Sequence, residues 1–127
     1  MPKKPRPSEL IEECGWKQGG YFSTPRVWSW TAAKDDPESI IYQYEHGEIT
    51  GMCTLGAIYL AEYLGTFPPN GAFQNAVIRR IPKDTNIPAW NDRLKSPRRV
   101  LEVLRQVEAD LLGEREDAIQ TTLSGNS

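Results

Sequence analysis

The chain of 127 residues is 39% hydrophobic and 25% charged, which is the usage of one compact domain and too apolar for a wholly disordered polypeptide. Its 15 Lys and Arg against 17 Asp and Glu leave a formal net charge of -2, excluding a uniformly basic nucleic-acid binder while allowing a local basic patch. The two cysteines, Cys14 and Cys53, form neither a CxxC pair nor a Cys/His cluster, so no disulfide framework, zinc site or other metal or cofactor site is expected, and reduced thiols suit a cytoplasmic protein.

The N-terminal MPKKPRP alternates cations with prolines and is expected to trail as a disordered, polyproline-like arm over residues 1–7. No apolar h-region follows it. The longest apolar-rich stretch, Leu55 to Leu64, is interrupted by Gly56 and Glu62, so neither a secretory leader nor a membrane span is expected. Ser8 is predicted to cap a short helix that carries Leu10 and Ile11 to Cys14 and stops at Gly15. The next segment, GWKQGGYFSTPRVWSW, mixes glycine with aromatics and predicts irregular or hairpin structure, with a strand at Val27 to Trp30. Asp36 followed by Pro37 predicts a helix to about Glu45, ended by Gly47, with Ile40, Ile41 and Tyr44 on one face.

From Thr50 onward Met52, Leu55, Gly56, Tyr59, Leu60, Tyr63 and Leu64 recur three and four apart, the spacing of a central buried helix ended by Gly65. Asn70 is predicted to cap a short helix with Phe73, Ala76 and Val77, ending before Pro82. Pro88 is expected to start a turn through Ala89, Trp90, Asn91 and Asp92. Ser96 and Pro97 begin the longest predicted helix, running to about Gly113, with Val100, Leu101, Leu104, Val107, Ala109 and Leu111 facing the core. Residues 114–127 lack an apolar stripe and are expected to fray into a disordered tail. The expected fold is mainly α: a small single-domain bundle of four to five helices over residues 8–113, with a short aromatic hairpin or irregular segment.

Four motifs follow one another along the chain: Trp16-x-Gln18-Gly19, Cys53-x-x-Gly56-Ala57, Trp90-Asn91-Asp92 and Glu102-Val103-Leu104. In this order the sequence resembles an uncharacterised family of small proteins from actinobacteria and their phages. The resemblance covers roughly residues 14–112 and implies a shared fold and a host range, with no established reaction. Family members commonly have a shorter segment before the cysteine, so residues 28–50 are extra length particular to this chain.

Several residues carry candidate chemistry. Cys53 opens the central helix, where the helix dipole and free amides favour a thiolate, and with His46 and Asn91 it can be drawn as a Cys-His-Asn constellation. The plainer reading makes Cys53 a small apolar residue at a tight contact, His46 a solvated loop residue, and Asn91 and Asp92 turn stabilisers beside an anchoring Trp90. Gly56 and Ala57 lack bulk and invite close approach by the C-terminal helix.

Charge is uneven. From Arg79 to Arg99 there are seven cations (Arg79, Arg80, Lys83, Arg93, Lys95, Arg98, Arg99) and two anions, whereas Thr31 to Tyr63 holds one cation and six anions. The basic segment offers a nucleic-acid surface; its alternative is a solvated face. Trp28, Trp30, Tyr21 and Phe22 lie in or beside the irregular segment and are candidate protein-contact residues, because aromatics with polar tips anchor interfaces. The expected function is therefore that of a phage or prophage accessory protein that binds a host or phage protein without catalysis, in the host cytoplasm. A nucleic-acid-associated regulator using residues 79–99 comes second, and a thiol-dependent enzyme centred on Cys53 third. The sequence leaves the oligomeric state open.

Overall fold

A computed structural model describes residues 4–24 and 37–113 of the chain. Proline and glycine punctuate it from the start: α1 (Pro7–Cys14) has Pro7 in its first turn and ends where Gly15 adopts φ +107°, with the Gly15 amide on the Ile11 carbonyl at 2.8 Å. Ser8 is not the cap. It lies inside α1, buried, while Glu9 Oε1 accepts from the Arg6 backbone amide at 2.8 Å. Residues 4–6 run along the domain rather than away from it: Thr66 Oγ1 donates to the Pro5 carbonyl at 2.6 Å, and Arg6 Nη2 to the Gly113 carbonyl at 2.7 Å.

The aromatic segment contributes β1 (Phe22–Ser23), whose partner is β2 (Gly51–Met52), antiparallel, with Phe22 opposite Met52 and Ser23 opposite Gly51. Residues 15–17 add a parallel bridge on the other side, where Lys17 N–H reaches the Met52 carbonyl at 3.1 Å and Met52 N–H the Gly15 carbonyl at 2.9 Å. The predicted strand at Val27 to Trp30 lies outside the described residues, as do Asp36 and residues 114–127. Between β1 and β2, α2 (Pro37–Glu45) begins at its proline and is followed by Gly47 at φ +68°, as predicted, with Ile40 buried and Ile41 and Tyr44 half-buried.

The central helix, α3 (Thr54–Tyr63), is buried over most of its circumference and packs against α1 and α2. Met52 belongs to β2 and not to this helix. Gly56 is tight for a reason different from the expected one: α6 does not fill the space above it. A Cβ on Gly56 would stand 2.4 Å from the Tyr21 carbonyl oxygen, so the close approach is made by the chain entering β1.

The short helix α4 (Ala72–Ile78) is entered through Gly71 at φ +82°, with Asn70 Oδ1 accepting from the Ala72 amide at 3.0 Å. The expected turn at Pro88 is instead a helix, α5 (Ile87–Arg93), because Asn86 caps it by accepting from the Ala89 amide at 2.9 Å and Pro88 fits its first turn. The last helix, α6 (Arg98–Leu112), packs on α1 and α4. Its buried stripe is Val100, Val103, Leu104, Val107 and Glu108; Ala109 and Leu111, expected inside, face out. The fold is thus mainly α, six helices with one two-stranded sheet among the described residues.

Candidate functional site

Three of the four motifs meet at one buried side chain. Capping by Asn86 sets the phase of α5 so that Ile87 and Trp90 enter the core, and Asn91 follows them with 0% exposure. Its Oδ1 accepts from Trp16 Nε1 at 2.8 Å, from the Thr54 amide at 3.0 Å and from Thr54 Oγ1 at 2.7 Å. Its Nδ2 donates to the Lys17 carbonyl at 2.9 Å and to Asp92 Oδ1 at 3.3 Å. Both ends of the amide are therefore fully used, as burial of a neutral polar group requires.

The surrounding motif residues extend this arrangement. Gln18 Nε2 sits among the carbonyls of Asn91, Asp92 and Leu94 at 3.1, 3.0 and 2.6 Å, satisfying acceptors that α5 leaves open at its end. The Gly19 amide donates to Asp92 Oδ1 at 3.0 Å. On α3, Thr54 and Gly56 carry amides that no preceding turn can satisfy; Asn91 takes the first and Cys53 Sγ the second, at 3.3 Å. The Cys53 amide donates at 3.0 Å to the Tyr21 carbonyl, the same oxygen that forbids a side chain at position 56.

The same contacts set the environment of the thiol. Cys53 is fully buried, and burial pushes its thiol up to about 11, outweighing the Gly56 and Leu55 amides that act in the other direction. His46 is exposed beyond α2, with Nδ1 donating to the Tyr42 carbonyl at 2.8 Å and its ring stacked on Tyr42 at 3.9 Å. Asn91 is committed to Trp16, Thr54, Lys17 and Asp92, so Cys53, His46 and Asn91 have separate partners. Among the described residues, no group of three or more His, Cys, Asp and Glu side chains is placed to hold a metal ion.

The aromatic candidates divide. Tyr21 and Phe22 are not surface contacts: they are 9% and 5% exposed, because the β1 to β2 pairing turns Phe22 into the core beside Met52 and Tyr21 packs edge-on against Phe22 and Tyr59. Trp28 and Trp30 lie outside the described residues. The basic segment divides as well. Arg80 pairs with Asp110, Arg93 with Asp84 at 3.4 Å and Arg99 with Glu102 at 2.9 Å. Arg79, Lys83, Lys95 and Arg98 are exposed, without a carboxylate partner among the described residues.

Ser8, Gln43 and Glu108 are buried polar residues outside the four motifs. Glu108 is 3% exposed and accepts from the Ser8 amide at 2.8 Å and from Ser8 Oγ at 2.7 Å, fastening α1 to α6. Burial raises its carboxyl above the ordinary value, against the Ser8 hydrogen bonds and Arg6, which lower it. The signal was present in the spacing: Glu108 continues the Val100, Leu104 row one turn further. A family model described as a family of unknown function, DUF6197, matches residues 7–110. No curated protein and no solved structure matches the chain.

Proposed function

We propose that this chain, which belongs to the DUF6197 family, is a small non-catalytic accessory protein that acts by binding another protein. The observation that carries the reading is the commitment of the motif side chains to architecture: Trp16, Gln18, Thr54, Asn91 and Asp92 bond to one another or to backbone, and the buried Cys53 caps a helix. A scaffold of this kind leaves function to its surface. The resemblance of its ordered motifs to proteins of actinobacteria and their phages makes a host or phage protein in the host cytoplasm the partner. Residues 28–50, the length particular to this chain, supply the contact through Trp28 and Trp30 within an acidic stretch.

The test is capture from an actinobacterial host lysate with three forms of the tagged chain. Wild type and Cys53→Ser are expected to retain the same protein, and the double variant Trp28→Ala, Trp30→Ala to lose it with unchanged circular dichroism. Equal capture by the folded double variant overturns the assignment of the surface. A cellular activity lost in folded Cys53→Ser overturns the non-catalytic reading.

A second reading, a nucleic-acid-associated regulator, is favoured by the four exposed cations Arg79, Lys83, Lys95 and Arg98 that lack carboxylate partners among the described residues. It requires DNA affinity that falls steeply with salt, by close to one logarithmic unit per decade for each phosphate contact. Binding that survives Arg79→Glu with Lys95→Glu removes this segment from the reading.

A further inference from the structure

Tyr42 stands on the outer face of α2 with 48% of its surface exposed, while Ile40 and Gln43 of the same helix are buried. Helical spacing sets its neighbours on that face: Glu38 one turn before it, Glu45 and His46 one turn after. The His46 ring stacks on Tyr42 with centroids 3.9 Å apart, held by the hydrogen bond of its Nδ1 to the Tyr42 carbonyl at 2.8 Å. The result is a flat aromatic platform bordered by two carboxylates.

Neither carboxylate is neutralised from within the fold. Glu38 and Glu45 are exposed and enter no ion pair among the described residues. No Lys or Arg occurs from Asp35 to Ile78, so α2 and α3, which pack together, carry no cation between them. α2 also meets α1 through Tyr44, whose hydroxyl donates to the Glu13 carboxylate at 3.1 Å, so that contact brings a further anion. Glu38 lies in the first turn of α2, where the helix dipole favours an anion. Glu45 lies in the last turn, which holds no basic residue and where the dipole opposes an anion. A cation supplied from outside offsets that mismatch.

Resting on the binding reading above, which puts the contact within residues 28–50, we propose that this face of α2 docks a basic segment of the partner protein. One arginine guanidinium lies on the Tyr42 ring beside Glu38, and a second cation of the same segment meets Glu45, seven residues and about 10 Å further along the helix axis. Arginine suits the face better than lysine, because a planar guanidinium stacks on an aromatic ring while donating in its own plane to a carboxylate. The carboxylates supply orientation and salt dependence.

The experiment titrates the full-length, isotopically labelled chain with three blocked pentapeptides: alternating glycine and arginine, the same peptide with lysines, and the same with citrullines, which keep the shape of arginine without its charge. The arginine peptide is expected to shift the amides of Glu38, Tyr42, Glu45 and His46 and to weaken as salt rises. It should bind at least tenfold more tightly than the citrulline peptide and several-fold more tightly than the lysine peptide. Affinity equal to that of either control, or shifts confined to other surfaces, overturns the proposal. The double variant Glu38→Gln, Glu45→Gln is expected to cost at least tenfold in affinity and Tyr42→Ala several-fold, both with unchanged circular dichroism, while Tyr42→Phe keeps the wild-type value. Unaltered binding by the folded double variant or by folded Tyr42→Ala overturns the proposal. So does a concentration-dependent association of the chain abolished by the double variant, which would give the face to the exposed cations of a second copy. Partner capture that persists in the folded double variant removes this face from the contact and leaves the binding reading standing. A peptide that binds as expected to a chain that captures no protein removes the binding reading alone.

Discussion

Asn91 and Glu108 each tie together segments remote in sequence, Asn91 joining residues 16 and 17 to the start of α3, and Glu108 joining Ser8 in α1 to α6. The first does so with a neutral amide that donates and accepts, so burial leaves no charge to be stabilised. The second uses a carboxyl that only accepts when ionised, and burial raises it toward the protonated form. One tie is therefore indifferent to pH and the other is not. The amide also serves more elements: Thr54, Trp16, Lys17 and Asp92 lose a partner if it goes, whereas Glu108 serves Ser8 alone among these contacts.

The largest expected effect is at the amide. Asn91→Ala leaves Trp16 Nε1, the Thr54 amide and hydroxyl and the Lys17 carbonyl without their acceptor or donor. Each buried group left unpaired costs about 1–3 kcal/mol, so the variant should lose more than about 3 kcal/mol in urea unfolding. A loss under about 1 kcal/mol would mean that water replaces the amide and that the three motifs are not held by it. Gly56→Ala comes next. Its added methyl meets the Tyr21 carbonyl oxygen, backbone that is itself fixed by the Cys53 amide, so strain of about 1–3 kcal/mol is expected in the same measurement.

These two sites also show what was legible in the sequence. Elements bounded by proline and glycine were readable, as α2 between Pro37 and Gly47 shows, because those residues act on their own backbone. The tightness of Gly56 was readable too, but not the neighbour that causes it: absence of a side chain says that something approaches, and gives no clue that Tyr21 does. Asn91 reads locally as a turn residue because the Trp16 and Thr54 contacts span 75 and 37 positions, and no local pattern encodes such a pairing. Pro88 alone suggests a turn, and the Asn86 cap ahead of it is what makes the segment a helix. Apolarity alone places Leu111 and Ala109 inward, and the phase set by Val103, Leu104 and Val107 overrules that. Of the binding candidates, burial of Tyr21 and Phe22 follows from the β1 to β2 pairing, which two-residue strands do not announce.

Glu108→Gln separates the two ties by pH. Since the folded carboxyl sits above its unfolded value, the native state holds more protons in that interval, and the stability contributed by Glu108 is fully present below about 4.5 and lost as pH rises through the raised folded value. The glutamine variant should lack this component, so the difference between variant and wild type should slope across that window and be flat above it. At pH 7 the variant is expected within about 1 kcal/mol of wild type, since the amide oxygen keeps one acceptor for Ser8 and only one hydrogen bond is lost. Parallel pH profiles for the two proteins would show that Glu108 is not the group responsible.

The smallest effect is expected at Cys53, and it gives the finest comparison of the two ties. Serine is a strong helix cap and keeps an acceptor for the Gly56 amide, so Cys53→Ser should cost no more than about 1 kcal/mol, the loss of an apolar atom against a better cap. The wild-type thiol is more informative. With its pKa pushed up to about 11 and its sulfur fully buried, Cys53 should resist iodoacetamide at pH 8 until the start of α3 opens. Its alkylation rate, followed by peptide mapping to separate it from half-buried Cys14, then reports that opening. Asn91→Ala should raise the rate by a hundredfold or more, as a loss of about 3 kcal/mol implies. Glu108→Gln, acting at the α1 to α6 contact, should leave it near the wild-type value at pH 7. Equal acceleration by both would mean that the thiol is reached only by unfolding of the whole domain, and that the two ties act as one cooperative unit.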